Sequence, residues 1–197
     1  MIIVGITGGT GSGKTVLLRI LEKQGALALD CDEIYHELLA GDEVMKAEIE
    51  ARFGGVLKDG EIDRKRLGEM VFSDKSALHE LNEITHKFVI NEIRHRLAEW
   101  EKQGGTVAAI DAIALYESGI NEMCDVVVGV IAPAPTRISR IMNRDGITRE
   151  QAEMRINAQK SDDFYIDSCD EILENAYSGL EEFEEVCDTH FEKLRTK

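Results

Sequence analysis

Residues 2–15 read IIVGITGGTGSGKT, an apolar run that leads directly into a glycine-rich segment closed by lysine and threonine. The part from Gly8 to Thr15 fits the pattern G-x-x-x-x-G-K-[ST], which occurs where a buried strand turns into a helix. Glycines let successive backbone N–H groups turn toward phosphate oxygens, while the helix N-terminus and the Lys14 ammonium group add positive charge. The Thr15 hydroxyl offers an oxygen ligand to Mg²⁺. The stretch therefore predicts a P-loop that binds a nucleotide.

Further apolar runs of strand length follow along the chain and alternate with helical patterns. Such alternation is typical of βαβ units around a buried parallel sheet. It predicts an α/β fold of the P-loop kinase type, with three layers and a five-stranded parallel sheet formed by residues 2–7, 26–30, 106–111, 125–131 and 171–174. The first helix is predicted over residues 14–23, where leucines recur at helical spacing. We expect the whole chain, residues 1–197, to form a single such domain.

The second and third predicted strands are separated by about 75 residues, far more than a simple crossover needs. This segment, about residues 37–103, is predicted to be an insertion of several helices. The longest is predicted over residues 75–103, with a break inside it left open, and six apolar residues fall near one face: Leu78, Leu81, Ile84, Phe88, Ile93 and Leu97. Pro135 stands where a first helical turn tolerates its missing N–H, which predicts another helix over residues 136–143.

The composition restricts the class of protein. The chain has 197 residues, of which 43% are hydrophobic and 31% charged, enough for a packed globular core. Its net charge of −15 repels phosphate at long range, so we expect no nucleic-acid partner, and a nucleotide must be held by a local positive site. The N-terminus lacks a basic secretory signal, and no apolar stretch reaches the ~20 residues that cross a bilayer, so no membrane role is expected. The four cysteines form no CxxC pair, which favours reduced thiols and a cytoplasmic location.

Two aspartates follow the second predicted strand, in the sequence Asp30-Cys31-Asp32-Glu33. The carboxyl ends of parallel strands face the ligand crevice, where an aspartate can orient a hydroxyl group and accept its proton during phosphoryl transfer. The same spacing fits helix capping, because Asp30 with Glu33 resembles a capping box and Asp32 alone could cap a helix. Position favours Asp32 over Asp30 for catalysis, and both interpretations stay open.

Asp111 and a group of arginines are further candidates. Asp111 closes the third predicted strand, as expected of a carboxylate that holds Mg²⁺ through its water shell. Five of the twelve arginines lie between residues 137 and 155 of an otherwise acidic chain. Of these, Arg140 and Arg144 are spaced i,i+4, so they share a helix face and can clamp a polyphosphate whose charge develops during transfer. The alternative is a solvated helix face. The histidines have no spacing typical of a metal site.

The chain resembles the dephospho-coenzyme A kinase family along nearly its full length. The matching segments, in order, are TGGTGSGKT at residues 7–15, Asp30-Cys31-Asp32, Arg66-Leu67 with Val71-Phe72, LNEITH at residues 81–86, Arg140-x-x-x-Arg144, Arg155-Ile156 with Gln159, and Asp170 with Asn175. This order of separate motifs is more specific than any one of them. The resemblance implies transfer of a phosphate from ATP to the ribose 3′-hydroxyl of dephospho-coenzyme A, with Mg²⁺ accompanying the ATP.

The resemblance also implies roles for particular segments and residues. Asp32 is the expected base, Lys14 is expected to act with it, and Arg140 and Arg144 are expected in a mobile lid at about residues 137–160. The insertion is expected to bind the acceptor, with contacts from Asp30, His86, Leu115 and Glu117. Mg²⁺ is expected at Thr15 and, through water, at Asp111. The residues expected to bind ATP are Gly8, Gly9, Thr10, Gly11, Ser12, Gly13, Lys14, Thr15 and Val16, with Asn175 near the adenine.

The chain departs from the family's pattern in two segments that are expected to hold the acceptor. Lys87 follows His86 where the family has proline, and residues 111–117 read DAIALYE where the family has a DVPLLFE-like run. The missing proline and leucine predict a roomier or reshaped acceptor cleft beside an intact ATP site. Two alternatives remain: a kinase for another nucleotide-like or small hydroxyl acceptor, and a nucleotide-binding regulator without turnover. A base such as Asp32 argues against the regulator, because binding alone requires none.

Overall fold

A computed structural model describes residues 1–72, 74–177 and 179–195 of the chain. By their internal contacts the residues divide into two compact units, Met1–Leu29 with Trp100–Lys197 and Asp30–Glu99. The strands are β1 (Ile2–Thr7), β2 (Leu27–Asp30), β3 (Leu57–Lys58), β4 (Glu61–Ile62), β5 (Val107–Asp111), β6 (Val126–Ile131) and β7 (Glu171–Glu174). The helices are α1 (Lys14–Lys23), α2 (Cys31–Gly41), α3 (Glu43–Phe53), α4 (Arg64–Phe72), α5 (Lys75–Lys102), α6 (Ala134–Asp145), α7 (Arg149–Asn157), α8 (Asp162–Ser168) and α9 (Leu180–Arg195), with a 3₁₀ turn at Ile120–Met123.

The main sheet has the strand order β2-β5-β1-β6-β7, with β1 at its centre. The predicted α/β fold with five parallel strands is confirmed, and each strand end lies within one residue of its predicted position. In the register of the sheet, Ile6 pairs with Asp111 of β5 and Thr7 pairs with Gly129 of β6. The P-loop therefore leaves the sheet between two neighbouring strands that end at the same edge.

The core of the first unit explains why its strands read as continuous apolar runs. Helices cover both faces of a parallel sheet, so the side chains that point to either face are removed from water. One core cluster joins β1 and β6 to helices α1 and α9, with Val4, Ile6, Leu17, Leu21, Val128, Phe183 and Phe191 nearly inaccessible to solvent. The acidic helix α9 thus contributes an apolar face to the core and exposes Glu181, Glu182, Glu185 and Asp188.

The second unit has its own core and contains a hairpin that the sequence analysis did not predict. Met45, Ile49 and Val56 are fully buried in this core. Strands β3 and β4 pair antiparallel across Asp59 and Gly60, whose φ angles are 53° and 84°. This is the left-handed backbone of an Asp-Gly hairpin turn. The ammonium of Lys46, only 4% exposed, donates to the carbonyls of Gly60 at 3.0 Å and Ala40 at 3.2 Å.

Helix α5 is a single helix of 28 residues without the break that was left open. Its buried residues are Leu81, Thr85, Val89, Ile93 and Leu97, an i,i+4 stripe. The predicted face was partly wrong, since Leu78 is 37% exposed. Within the described ranges, the helices include none with an apolar stretch long enough to cross a membrane.

Candidate active site

The P-loop occupies the turn between β1 and α1, and glycine is required in it for two different reasons. Gly13 adopts a φ of 112°, and a Cβ there would lie 2.3 Å from Asn175 Nδ2. A Cβ on Gly9 would lie 2.0 Å from Arg137 Nη2. At Gly13 both the left-handed backbone and the nearby Asn175 side chain exclude any residue larger than glycine. At Gly9 the reason is the lack of space alone, because the Arg137 guanidinium fills it.

Carbonyl groups of the loop accept hydrogen bonds from side chains elsewhere in the chain. Arg137 Nε donates to the Thr10 carbonyl at 2.9 Å. Arg140 Nη1 donates to the carbonyls of Gly11 at 3.2 Å and Ser12 at 3.3 Å, and Asn175 Nδ2 donates to that of Ser12 at 2.8 Å. Three consecutive carbonyls of the loop are therefore engaged by side chains from outside the loop.

Thr10 is held most completely. Its N–H donates to Gln159 Oε1 at 2.8 Å, and its hydroxyl accepts from Gln159 Nε2 at 2.7 Å. Arg137 Nη2 donates to the same Gln159 oxygen at 3.1 Å, and Arg137 Nη1 lies 3.3 Å from Asp162 Oδ1. Arg137 is 3% exposed, so its charge is compensated almost entirely by these acceptors.

Asn175, expected near the adenine, has its side-chain amide engaged by protein. It is 3% exposed, its Nδ2 donates to the Ser12 carbonyl, and its Oδ1 accepts from Arg140 Nη2 at 2.9 Å. Its backbone N–H donates to the Ile131 carbonyl at 2.8 Å. The structure therefore places Asn175 as a support of the loop.

The remaining P-loop residues lie where the pattern predicts. Lys14 begins α1 and is 9% exposed, while Thr15 next to it is exposed. Val16 is partly buried against the main core. The Ser12 hydroxyl is buried, and among the residues described it has no hydrogen-bond partner. It can therefore donate a hydrogen bond to an oxygen of a bound ligand.

Asp111 lies at the carboxyl end of β5, one strand from the P-loop. It is 6% exposed and pairs in the sheet with Ile6, two residues before Gly8. The following N–H, of Ala112, donates to the Ile6 carbonyl at 3.0 Å. An acid held at this edge, with the hydroxyl of Thr15, gives the oxygen ligands that Mg²⁺ prefers.

Arg140 and Arg144 have different surroundings although they share a helix. Arg140 has its guanidinium against the loop carbonyls, and its burial lowers its pKa. The Arg144 side chain is 62% exposed and makes two bonds to Asp145, at 2.7 and 3.0 Å. Its guanidinium, together with that of Arg155, holds the pKa of Asp145 below its usual range. Arg144 is therefore the arginine free to reach a ligand by exchanging a surface partner.

In the unit Asp30–Glu99, the two candidate aspartates are distinguished by their hydrogen bonds. Asp30 is the N-cap of α2, and its Oδ1 accepts from the N–H groups of Asp32 at 2.9 Å and Glu33 at 3.2 Å. Asp32 lies in the first turn of the same helix with an exposed side chain. His86 is half-buried on α5. The capping interpretation thus describes Asp30, and Asp32 keeps a carboxylate that is accessible to a ligand.

The two acceptor candidates after β5 differ in accessibility. Leu115 is fully buried, and its Cδ2 would lie 3.2 Å from a Cβ on Gly5, which places this side chain in the hydrophobic interior. Glu117 is 44% exposed and lies 3.6 Å from the Lys160 ammonium. Ile113, at the position of the family's proline, is 38% exposed.

Arg137 is the residue that sequence reasoning missed. It is one of the five arginines between residues 137 and 155, and the sequence predicts a role for Arg140 and Arg144 but none for Arg137. The available signal was its i,i+3 spacing from Arg140, which puts both residues on one face of the helix.

Comparison with known proteins assigns the family. The model of the dephospho-CoA kinase family matches residues 2–181. The chain belongs to the dephospho-CoA kinase family. The dephospho-CoA kinase of Geobacter sulfurreducens is 40% identical over 161 residues, which cover 81% of this chain and 82% of that protein. That of Fusobacterium nucleatum is 37% identical over 195 residues, covering 96% and 98%.

A solved structure extends this agreement to the fold. The dephospho-CoA kinase from Campylobacter jejuni superposes with a TM-score of 0.71 at 25% identity, over 98% of this chain and 96% of that one. As a member of the dephospho-CoA kinase family, the chain is a phosphotransferase to an alcohol group, with the dephospho-CoA kinase activity of that family.

Proposed function

We propose that the chain transfers the γ-phosphoryl group of Mg·ATP to the ribose 3′-hydroxyl of dephospho-coenzyme A, giving coenzyme A and ADP. The observation that supports ATP binding is the P-loop, whose Thr10, Gly11 and Ser12 carbonyls all accept hydrogen bonds from side chains outside the loop. Family membership supports the acceptor and disfavours both alternatives, a kinase for another acceptor and a regulator without turnover.

The phosphate-binding roles follow from position. The N–H groups of Thr10 and Ser12 donate within the protein, to Gln159 Oε1 and to the Gly9 carbonyl. The remaining N–H groups of the loop and the N-terminus of α1 bind phosphate oxygens, and the Lys14 ammonium neutralises the charge of the β- and γ-phosphates. The buried Ser12 hydroxyl supports this, because a phosphate oxygen would satisfy it.

The proposed Mg²⁺ fits the residues at the same edge of the sheet. Thr15 would hold it directly and Asp111 through water, and the bound ion would neutralise charge on the β- and γ-phosphates. In the part of the chain that the structure describes, no three His, Cys, Asp or Glu residues cluster as a metal site. A donor set of one hydroxyl and one carboxylate suits an ion that keeps several waters and binds phosphate.

For the chemical step we propose Asp32 as the base. Its carboxylate accepts the proton of the 3′-hydroxyl as that oxygen forms its bond to the γ-phosphorus. The bond between the γ-phosphorus and the oxygen bridging to the β-phosphate breaks, and ADP leaves with that electron pair. The position of Asp32 two residues after β2, with its side chain exposed, supports this role. Arg144 would stabilise the charge of the transferring group.

Two larger segments complete the proposal. The insertion at about residues 37–103 would bind the acceptor, which is supported by the separate core of the unit Asp30–Glu99. Residues of about 137–160 would form the lid, supported by the small core in which Ile138 and Ile141 of α6 pack with Ala152 of α7. The four cysteines, all among the described residues, form no disulfide, which supports the expected cytoplasmic location.

The test is turnover with acceptors that differ at one hydroxyl. We expect ADP release and a product heavier by one phosphate with dephospho-coenzyme A, and none with its 3′-deoxy analogue. The 2′-deoxy analogue should still react. Lys14→Ala is the control for the ATP site and should abolish all turnover while the protein stays folded. Phosphorylation of the 3′-deoxy analogue would contradict the proposal.

A further inference from the structure

Arg137 is a buried cation that supports one residue of the P-loop. Its guanidinium donates to the Thr10 carbonyl and to Gln159 Oε1, and Gln159 in turn binds the N–H and the hydroxyl of Thr10. Every polar group of Thr10 is therefore bonded to this pair. Arg137 lies at the start of α6 and Gln159 after the end of α7, so two segments far from the loop in sequence converge on it.

We propose that Arg137, acting with Gln159, is a positioning residue of the phosphate-binding loop: the pair fixes Thr10 so that the loop has its phosphate-binding curvature before the nucleotide arrives. The inference rests on the proposed function only for the statement that this loop binds ATP phosphates. Neither residue touches the nucleotide in this proposal. Both act through Thr10.

Preorganisation matters because the loop is rich in glycine. Glycines lose more backbone entropy on ordering than any other residue, and a loop that orders only on binding subtracts that cost from the affinity. Three hydrogen bonds, of 2.7, 2.8 and 2.9 Å, restrain Thr10, which lies between Gly9 and Gly11. The ordering cost is thus met during folding.

The charge of Arg137 adds an electrostatic contribution. The Thr10 carbonyl belongs to the peptide group whose N–H is that of Gly11, and a cationic donor on the carbonyl polarises that N–H. Asp162, which pairs with Arg137 at 3.3 Å, is 38% exposed, whereas the Arg137 side chain is 4% exposed. Solvent therefore screens the anion more than the cation.

The guanidinium is needed for its shape as well as its charge. Its Nε, Nη1 and Nη2 atoms each bind a different acceptor, namely Thr10, Asp162 and Gln159. A lysine has one nitrogen on a flexible stem and cannot bridge these positions at once. Arg137→Lys keeps the charge and loses the fixed geometry, which separates the two contributions.

The experiment measures nucleotide binding without any acceptor, so its result does not depend on which acceptor the protein uses. The Kd values of ADP and of inorganic tripolyphosphate are determined for wild type, Arg137→Met and Arg137→Lys, together with each Tm. We expect Arg137→Met to raise both constants by about tenfold, and Arg137→Lys to give intermediate values. Equal factors for the two ligands are expected, because tripolyphosphate has no base and reports on the phosphate cradle alone.

Lys46→Met is the matched control. Lys46 is also a buried cation that binds two backbone carbonyls, but it lies in the unit Asp30–Glu99. The Lys46→Met variant should have a lower Tm and a Kd of ADP within twofold of wild type. If Arg137→Met also lowers only the Tm, Arg137 is a stabilising core residue and the proposal is overturned. A rise for ADP without one for tripolyphosphate overturns it as well.

Gln159→Met keeps the proposal testable if Arg137→Met does not fold. This variant leaves Arg137 in place and removes the two bonds that Gln159 makes to Thr10. We expect the Kd of ADP and the tripolyphosphate constant to rise together, by about fivefold or more. Unchanged constants in a folded Gln159→Met protein overturn the proposal.

Discussion

Arg140 Nη2 donates to Asn175 Oδ1 at 2.9 Å, and both side chains also bind the carbonyl of Ser12. This relationship joins helix α6 to the residue that follows β7 through one peptide group of the P-loop. It gives Arg140 a set of acceptors inside the protein, whereas Arg144, one turn later, binds the surface carboxylate of Asp145. The two arginines that the sequence presents as a pair are therefore expected to behave differently.

Alanine substitutions should separate Arg140 from Arg144. Arg144→Ala should lower kcat by about 100-fold with little change in the KM for ATP or in stability, because its charge acts on the transferring group. Arg140→Ala should lower the free energy of unfolding by about 2 kcal/mol and raise the KM for ATP, because buried carbonyls of the loop lose their donor. Steady-state kinetics and thermal melting measure both.

Arg149→Ala is the control for a loss of charge on the same segment. Arg149 is 63% exposed and binds Glu153 at 2.8 Å, so it matches Arg144 in exposure and pairing. Its removal should change kcat by less than about twofold. If Arg144→Ala is equally mild, Arg144 belongs to a solvated helix face.

Asp32→Asn should cut turnover by about 10²–10⁴-fold while ADP binding and Tm stay close to wild type. The Asp32 side chain is exposed, so its amide replacement costs the fold little. Asp30→Ala should instead lower stability by about 1 kcal/mol, because the N-cap of α2 is lost. Kinetics, ADP binding and urea unfolding are measured on both variants.

Asp42→Ala is the matched cap control. Asp42 is the N-cap of α3 and accepts from the Met45 N–H at 2.8 Å. It should destabilise the protein as Asp30→Ala does and leave kcat unchanged. Normal turnover by Asp32→Asn would exclude Asp32 as the base and direct the search to Asp30 and Asp111.

Restoring the family's residues after β5 should tighten acceptor binding. The double variant Ile113→Pro with Ala114→Leu is expected to lower the KM for dephospho-coenzyme A by about fourfold and leave the KM for ATP unchanged, since one buried methylene group contributes about 0.8 kcal/mol. Because Ile113 is 38% exposed, the substitution at position 113 does not disturb the core. Ile113→Ala is the control for removing the isoleucine alone. An unchanged acceptor KM in the double variant would mean that these substitutions are neutral.

Cys124 should resist alkylation in the folded protein. Burial, with smaller contributions from Asp125 and Asp170, raises its pKa from 9.0 to about 12. At pH 8.5 the reactive thiolate is then about a thousandfold rarer in the folded chain than in the unfolded chain. Iodoacetamide labelling followed by peptide mass analysis should show Cys124 modified only after unfolding. Equal labelling rates in the two states would show that the thiol is accessible and ionised.

The same shift predicts a loss of stability at high pH. Because the folded pKa is the higher one, the unfolded chain loses its proton first, and the stability due to Cys124 is complete below about pH 9 and lost as the pH approaches about 12. Urea midpoints at pH 8 and pH 10.5 should fall more for wild type than for Cys124→Ala.

The sequence was sufficient for the strands and the P-loop because their signals are local. The apolar runs of β1, β2 and β5 are closed by Gly8, Asp30 and Asp111, and α1 begins at Lys14 and ends at Lys23 as predicted. The hairpin at residues 57–62 was missed because strands of two residues are too short to show a period, although Asp59-Gly60 was a usable turn signal. Leu78 was misplaced because one exposed leucine does not disturb a helical pattern.

The support of the loop could not be predicted in the same way. The contacts from Arg137 and Asn175 to the loop join residues more than 120 positions apart, and neither residue interrupts the local pattern of its own element. Asp30 was the intermediate case. Capping and catalysis both fitted its spacing, and only the hydrogen bonds to Asp32 and Glu33 show that it caps.

The close approach of Arg137 to Gly9 constrains how this chain can evolve. Since a Cβ at position 9 would lie 2.0 Å from Arg137 Nη2, any mutation that gives position 9 a side chain must displace the Arg137 guanidinium from its hydrogen bonds or replace Arg137. Gly9 has an ordinary φ, so the barrier comes from the arginine and not from the backbone. A lineage that keeps the Arg137 hydrogen bonds therefore keeps glycine at position 9, and one that gives them up gains a side chain there together with a less restrained loop.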